Sequence, residues 1–233
     1  MKNKIQIICL ILYCFQVNAQ SSAESKLGTW YMYNGSHKLT KNIKLTTSTH
    51  FRYYELATEY QQEIYRIGLN YAFNDKINVT GGSVYSITDK SYKKDAADLY
   101  EYRFYQDLNI KDNWNKIRVK HRVRLAQRFK RRNATNEIAH RIRYGLFLNY
   151  PISKNWETYT FSELFIKFAT KAYSQNRTGA GILKKIDDNL KLKLGYFYTK
   201  FSNSDLHRLQ VGIILKTDFT KKQFKYDNTH FYK

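Results

Sequence analysis

Between Lys116 and Phe129 the chain reads KIRVKHRVRLAQRF, and two chemistries alternate along it. Ile117, Val119, His121, Val123 and Leu125 hold the odd positions, while Lys116, Arg118, Lys120, Arg122, Arg124 and Arg128 hold even ones. A period of two belongs to a β-strand, whose successive side chains point to opposite faces. The basic face is too dense for a dry core, because buried unpaired cations are costly. The apolar face still needs cover. Many such strands behind a secretory signal find it in a barrel with lipid outside and a polar interior.

The N-terminus predicts that signal. Lys2 and Lys4 precede the apolar run Ile5 to Phe15, and Val17-Asn18-Ala19 supplies a cleavage site. The expected organisation is a cleaved signal at 1–19 and a single barrel domain at 20–233. Within that domain, 220–233 is either a tail or a closing strand. Cys9 and Cys14 both fall in the signal, so the mature chain has no thiol chemistry and no disulfide framework. Losing Lys2 and Lys4 lowers the formal net charge from +21 to +19. A basic soluble domain usually implies nucleic acid, but export argues against that partner. Lipopolysaccharide phosphates at the outer surface, or anions within a lumen, are the better matches. After the signal no apolar run approaches the roughly 18 residues of a transmembrane helix, so a membrane reading rests on strands.

Five polar turn signals punctuate the mature chain, at 40–42, 74–76, 111–113, 153–155 and 187–189. All are rich in Asn, Asp, Ser or Thr, which suit tight turns. Longer polar links lie near 55–62, 89–98, 130–136, 169–175 and 202–206. Short turns alternating with long links match the periplasmic and external ends of an outer-membrane barrel. Eleven segments look like strands, and Phe224 to Tyr232 is the candidate for a twelfth. The expectation is therefore all-β: an antiparallel transmembrane barrel of 10–12 strands in the cell outer membrane, inserted by the barrel-assembly machinery. A soluble periplasmic sandwich or barrel that binds a ligand is the alternative architecture.

The motifs Gly28-Thr29-Trp30, Arg66-Ile67-Gly68-Leu69-Asn70-Tyr71 and His121-Arg122-Val123-Arg124 occur in that order. Gln127-Arg128-Phe129, Arg141-Ile142-Arg143-Tyr144, Glu163 and Asn176-Arg177 follow them. In this order and spacing the chain resembles the DUF2490 family over nearly all its mature length, leaving the tail after Phe219 unmatched. The resemblance implies an exported outer-membrane barrel of the Bacteroidota type and carries no activity with it.

Face assignment places Arg52, Arg66, Arg103, Arg122, Arg124, Arg141, Arg143 and Arg177 in the lumen. The acids Glu101, Asp107, Glu137 and Glu163 accompany them. One reading is structural, with arginine–carboxylate ladders plugging a narrow barrel. The other is an anion-attracting lumen, since arginines outnumber acids. Arg122 and Arg124 stand about 7 Å apart on one face, and Arg141 and Arg143 sit on the next strand. Four such groups side by side require carboxylates, an anion or water, and Glu101, Glu137 and Glu163 are the carboxylates expected. Lys93 and Lys94 in one link, and Lys130, Arg131 and Arg132 in another, are candidates to grip lipopolysaccharide. A barrel enzyme acting on lipid or lipopolysaccharide is the functional alternative. His50, His121, His140 and His207 with Ser48 and Ser162 are its raw material, but no Gly-x-Ser-x-Gly, metal-spaced cluster or phosphate loop occurs. No cofactor, metal or catalytic residue is expected.

Overall fold

A computed structural model describes residues 26–92, 96–169 and 172–221. The signal at 1–19, the candidate strand at 224–232, and Lys93 and Lys94 lie outside these residues. Eleven strands occur among the described residues. They are β1 (Leu27–Lys38), β2 (Ile43–Tyr53), β3 (Tyr60–Ala72), β4 (Ile77–Thr88), β5 (Leu99–Trp114) and β6 (Ile117–Arg132). The others are β7 (Thr135–Pro151), β8 (Trp156–Lys167), β9 (Tyr173–Lys185), β10 (Leu190–Lys200) and β11 (Asp205–Asp218). Each pairs antiparallel with its neighbour in sequence, and β1 pairs with β11 to close the barrel. With an odd count the first and last strands run the same way, so the closing ladder is parallel, from Leu27 opposite His207 to Lys38 opposite Asp218. The edge of β1 is thereby occupied without a twelfth strand.

Two connections differ most from the sequence reading. The β5–β6 turn falls at 115–116 and not at 111–113, and the β6–β7 link shrinks from 130–136 to 133–134. In both, an asparagine adopts the left-handed backbone, Asn115 with φ 53° and Asn133 with φ 51°. Asparagine tolerates that conformation, so the strands run up to two-residue turns and the polar residues beside them stay paired. Lys130, Arg131 and Arg132 accordingly belong to β6. The links at 54–59 and 89–98 remain the longest at their end, hereafter the loop end; the opposite end is the turn end.

The strand faces are sorted as a barrel in lipid requires. Along β5, Leu99, Glu101, Arg103, Tyr105, Asp107 and Asn109 are buried while the residues between them are exposed. The exposed face around the barrel carries large apolar groups such as Ile67, Leu69, Phe104, Leu125, Leu194 and Ile213. Monomeric soluble proteins rarely expose an apolar belt of this extent. Aromatic rings lie at both rims: Phe73, Trp114 and Tyr150 at the turn end, Tyr100 and Tyr173 at the loop end.

The inward face is not uniformly polar. Trp30, Met32, Tyr159, Phe161, Leu183 and Phe197 form one buried cluster, and Ile64, Val84, Tyr105 and Ala126 form another. Paired glycines make room for the rings. Gly181 faces Gly195 across β9 and β10, and a Cβ on Gly195 would sit 2.0 Å from the Tyr159 hydroxyl. That hydroxyl crosses the glycine pair to donate to Gln210 Oε1 at 2.8 Å. Gly68 and Gly82, paired across β3 and β4, give Tyr105 the same clearance. A glycine inside a strand here marks the close approach of a ring.

Candidate functional site: the arginine-lined lumen

Register decides which cation meets which carboxylate. Asp107 on β5 lies opposite Arg124 on β6, and the pair is bidentate, Nε to Oδ1 at 2.5 Å and Nη2 to Oδ2 at 2.6 Å. Arg103 lies opposite Arg128, where like charges repel, and Glu101 answers both. Arg128 Nε and Nη2 donate to its two oxygens at 2.5 and 2.7 Å, and Arg103 Nε adds a bond of 2.9 Å. Fork-shaped guanidinium–carboxylate pairs of this kind combine strength with fixed orientation.

Glu163 on β8 is the third anchor. It lies opposite Arg177 on β9 and Gly145 on β7. Because Gly145 has no side chain, Arg122 reaches past it from β6 to Glu163 Oε1 at 2.5 Å. Arg143 and Arg177 approach the same carboxylate at 3.3 and 3.5 Å. One fully enclosed anion thus serves three cations from three strands.

Three of the expected lumen arginines have no carboxylate within 4 Å among the described residues. Arg52 donates to Gln62 Oε1 at 2.6 Å and lies 3.5 Å over the Trp30 ring. Arg66 approaches Ser48 Oγ at 3.4 Å, and Arg141 lies 5.1 Å over Phe165. Lys120 and Lys193 likewise rest on Phe147 and Tyr159, at 4.4 and 4.5 Å. Ring faces stabilise a cation by about 0.5–2 kcal/mol, but they do not neutralise it. These groups border an internal cavity of about 500 Å³ whose lining includes nine arginines, two lysines and His50, with Glu163 as its carboxylate. A second chamber of about 300 Å³ toward the turn end shares Arg66, Lys120 and Arg124 with it.

The expected lumen set is thus found facing inward, with one correction of place. Glu137 is on the inward-facing register but at the loop-end rim, where it accepts from Lys130 at 2.8 Å with a side chain 61% exposed. It reaches none of Arg122, Arg124, Arg141 and Arg143, and Asp107 takes the part expected of it. Glu101 serves Arg103 and Arg128 instead. Sequence reading missed Arg128, Lys120 and Lys193 as lumen residues, although their place in the period-two pattern put them there. It also missed Arg208, fully buried beside Gly28 at the closing seam, where it donates to the His207 carbonyl at 2.8 Å.

At the loop end Arg132 Nε donates to the Ala97 carbonyl at 3.0 Å, tying β6 to the 89–98 link. Lys90, Lys130, Arg132 and Glu137 line a pocket there. Burial, followed by the charges of Arg132 and Lys130, pulls the Lys90 ammonium below the ordinary lysine range. The histidines divide between the faces. His50 and Ser48 point inward, whereas His121 pairs with the Tyr144 hydroxyl at 2.8 Å on the outside. Ser162, also outside, pairs with Thr178. Among the described residues no three His, Cys, Asp or Glu side chains gather as a metal site.

The family model for proteins of unknown function, DUF2490, matches residues 27–210. Comparison with curated proteins gives no match. Among solved structures, LpxR from Salmonella typhimurium aligns at a TM-score of 0.45 and 9% identity, over 74% of this chain and 83% of that one.

Proposed function

The chain belongs to the DUF2490 family, and within it we propose a non-enzymatic outer-membrane barrel whose packed, basic lumen favours anions. The observation that carries the reading is the charge balance of the main cavity. Eleven arginine and lysine side chains line it, and three carboxylates, Glu101, Asp107 and Glu163, answer them. The surplus raises the local concentration of anions and repels cations. An eleven-strand barrel is wide enough to need large side chains as filling and too narrow for an open porin channel. Trp30, Phe161, Phe165 and Phe197, all buried in the interior, supply that filling. The exposed apolar belt and its aromatic rims support lipid as the outer medium. The basic loop-end pocket fits lipopolysaccharide phosphates as neighbours.

Purified protein in planar bilayers under a potassium chloride gradient is expected to show small conductance with a reversal potential displaced toward chloride. A large channel or a cation-selective one overturns the reading. A parallel assay for lipid products is expected to stay flat, and steady release of fatty acid would replace this proposal with the enzyme one.

A further inference from the structure

The unanswered cations converge from opposite walls. Arg52 on β2 is within electrostatic reach of Arg141 on β7, and of Arg66, Arg103 and Arg177. β2 and β7 are separated by four strands on one side of the eleven-strand ring and five on the other, so they form opposite walls, and both guanidinium groups line the cavity between them. Around the same cavity several buried donors have no partner: Nε of Arg52, Arg66 and Arg143, and Trp30 Nε1. A buried donor left unpaired is destabilising, and more so when it is charged. This many on one cavity call for an acceptor.

We infer that the lumen holds a phosphate-class dianion between Arg52 and Arg141, with Arg66 beside it. The inference deepens the proposed anion-favouring lumen and rests on it. Three cations with no carboxylate within 4 Å, although Arg141 also feels the charge of Glu101, favour an anion with more than one negative charge. Groups arriving from opposite walls require acceptor oxygens pointing in several directions, which a tetrahedral oxyanion has and a planar carboxylate lacks. Guanidinium is the side chain best shaped for bidentate contact with such an anion. Chloride supplies one charge and no direction. A cavity of about 500 Å³ lies within the range of small-molecule sites and exceeds what a bare phosphate fills. Trp30, Phe147 and Phe161 on its wall give an organic substituent an apolar seat. Free phosphate, a soluble phosphate monoester and a lipid phosphate headgroup all share this chemistry.

Trp30 reports on the site directly, since Arg52 lies over its ring. Trp114→Phe with Trp156→Phe leaves Trp30 as the remaining tryptophan. This protein, folded in detergent micelles at constant ionic strength, is titrated with inorganic phosphate, with glycerol 3-phosphate and with phosphatidic acid in mixed micelles. The expected result is a saturable change in Trp30 emission with at least one of the three, and the strongest binder identifies the source. Affinity should fall at least tenfold in Arg52→Gln with Arg141→Gln, and chloride should not reproduce the response. If the double variant does not give the folded, heat-modifiable band, Arg141→Gln alone takes its place. No saturation with any probe, an equal response to chloride, or unchanged affinity in the variant overturns the inference. Chloride-favouring conductance together with such a negative titration removes the site and leaves the proposed function standing.

Discussion

Glu163→Gln is expected to cost the barrel about 3–5 kcal/mol, the usual penalty for removing one partner of a buried ion pair. The substitution keeps the shape of the side chain and removes only its charge. Arg122, Arg143 and Arg177 then share an enclosed site with no anion between them. Urea unfolding in lipid vesicles, followed by tryptophan emission and by the heat-modifiable band, measures the loss. Adding Arg143→Leu to the variant should recover part of it, because fewer cations are left unpaired; neighbouring charges of this kind are not additive. A Glu163→Gln barrel within about 0.5 kcal/mol of the parent, the usual range for a surface substitution, would mean that water or another anion already neutralises these arginines.

Ile67→Arg tests the outside of the barrel. Ile67 is 51% exposed near the middle of β3. In a bilayer an arginine at mid-depth costs about 2–4 kcal/mol, falling to about 0–1 near the interface. The same change at Phe73, beyond the turn-end limit of β3, should therefore be nearly silent. A soluble barrel predicts no such gradient, since both residues are exposed and surface changes usually stay within about 0.5 kcal/mol. Unfolding of both variants in vesicles decides between the two media.

Much of this architecture is legible in the sequence because one period runs through it. The alternation from Lys116 to Phe129 set the two faces of β6, and eleven strand-like segments were read along the chain. The turns were read less well. Asp and Asn serve both as turn formers and as exposed residues at strand ends, so 111–113 looked like a turn while the left-handed residue was Asn115. The stretch 130–136 looked like a loop because it is polar, yet Lys130 and Arg132 are paired across the hairpin with Glu137 and Thr135. Pairing partners were the least legible feature. Whether Asp107 or Glu137 meets Arg124 depends on register, and a single strand's pattern does not contain its register with the next one. Arg122 reaching Glu163 depends on a glycine on the strand between. The aromatic filling was hidden for a related reason: Trp30, Phe161 and Phe197 are apolar, and apolar residues were assigned to the lipid face.

Whether the apolar belt sits in lipid or in water decides the function proposed for the lumen. The most direct measurement is fractionation of cells expressing the full chain, with carbonate extraction and gel mobility of boiled and unboiled samples. The expected result is mature protein in the outer-membrane fraction, resistant to carbonate, released only by detergent and shifted in mobility by heating. Recovery of the mature protein freely soluble in the periplasm, without detergent, would contradict it.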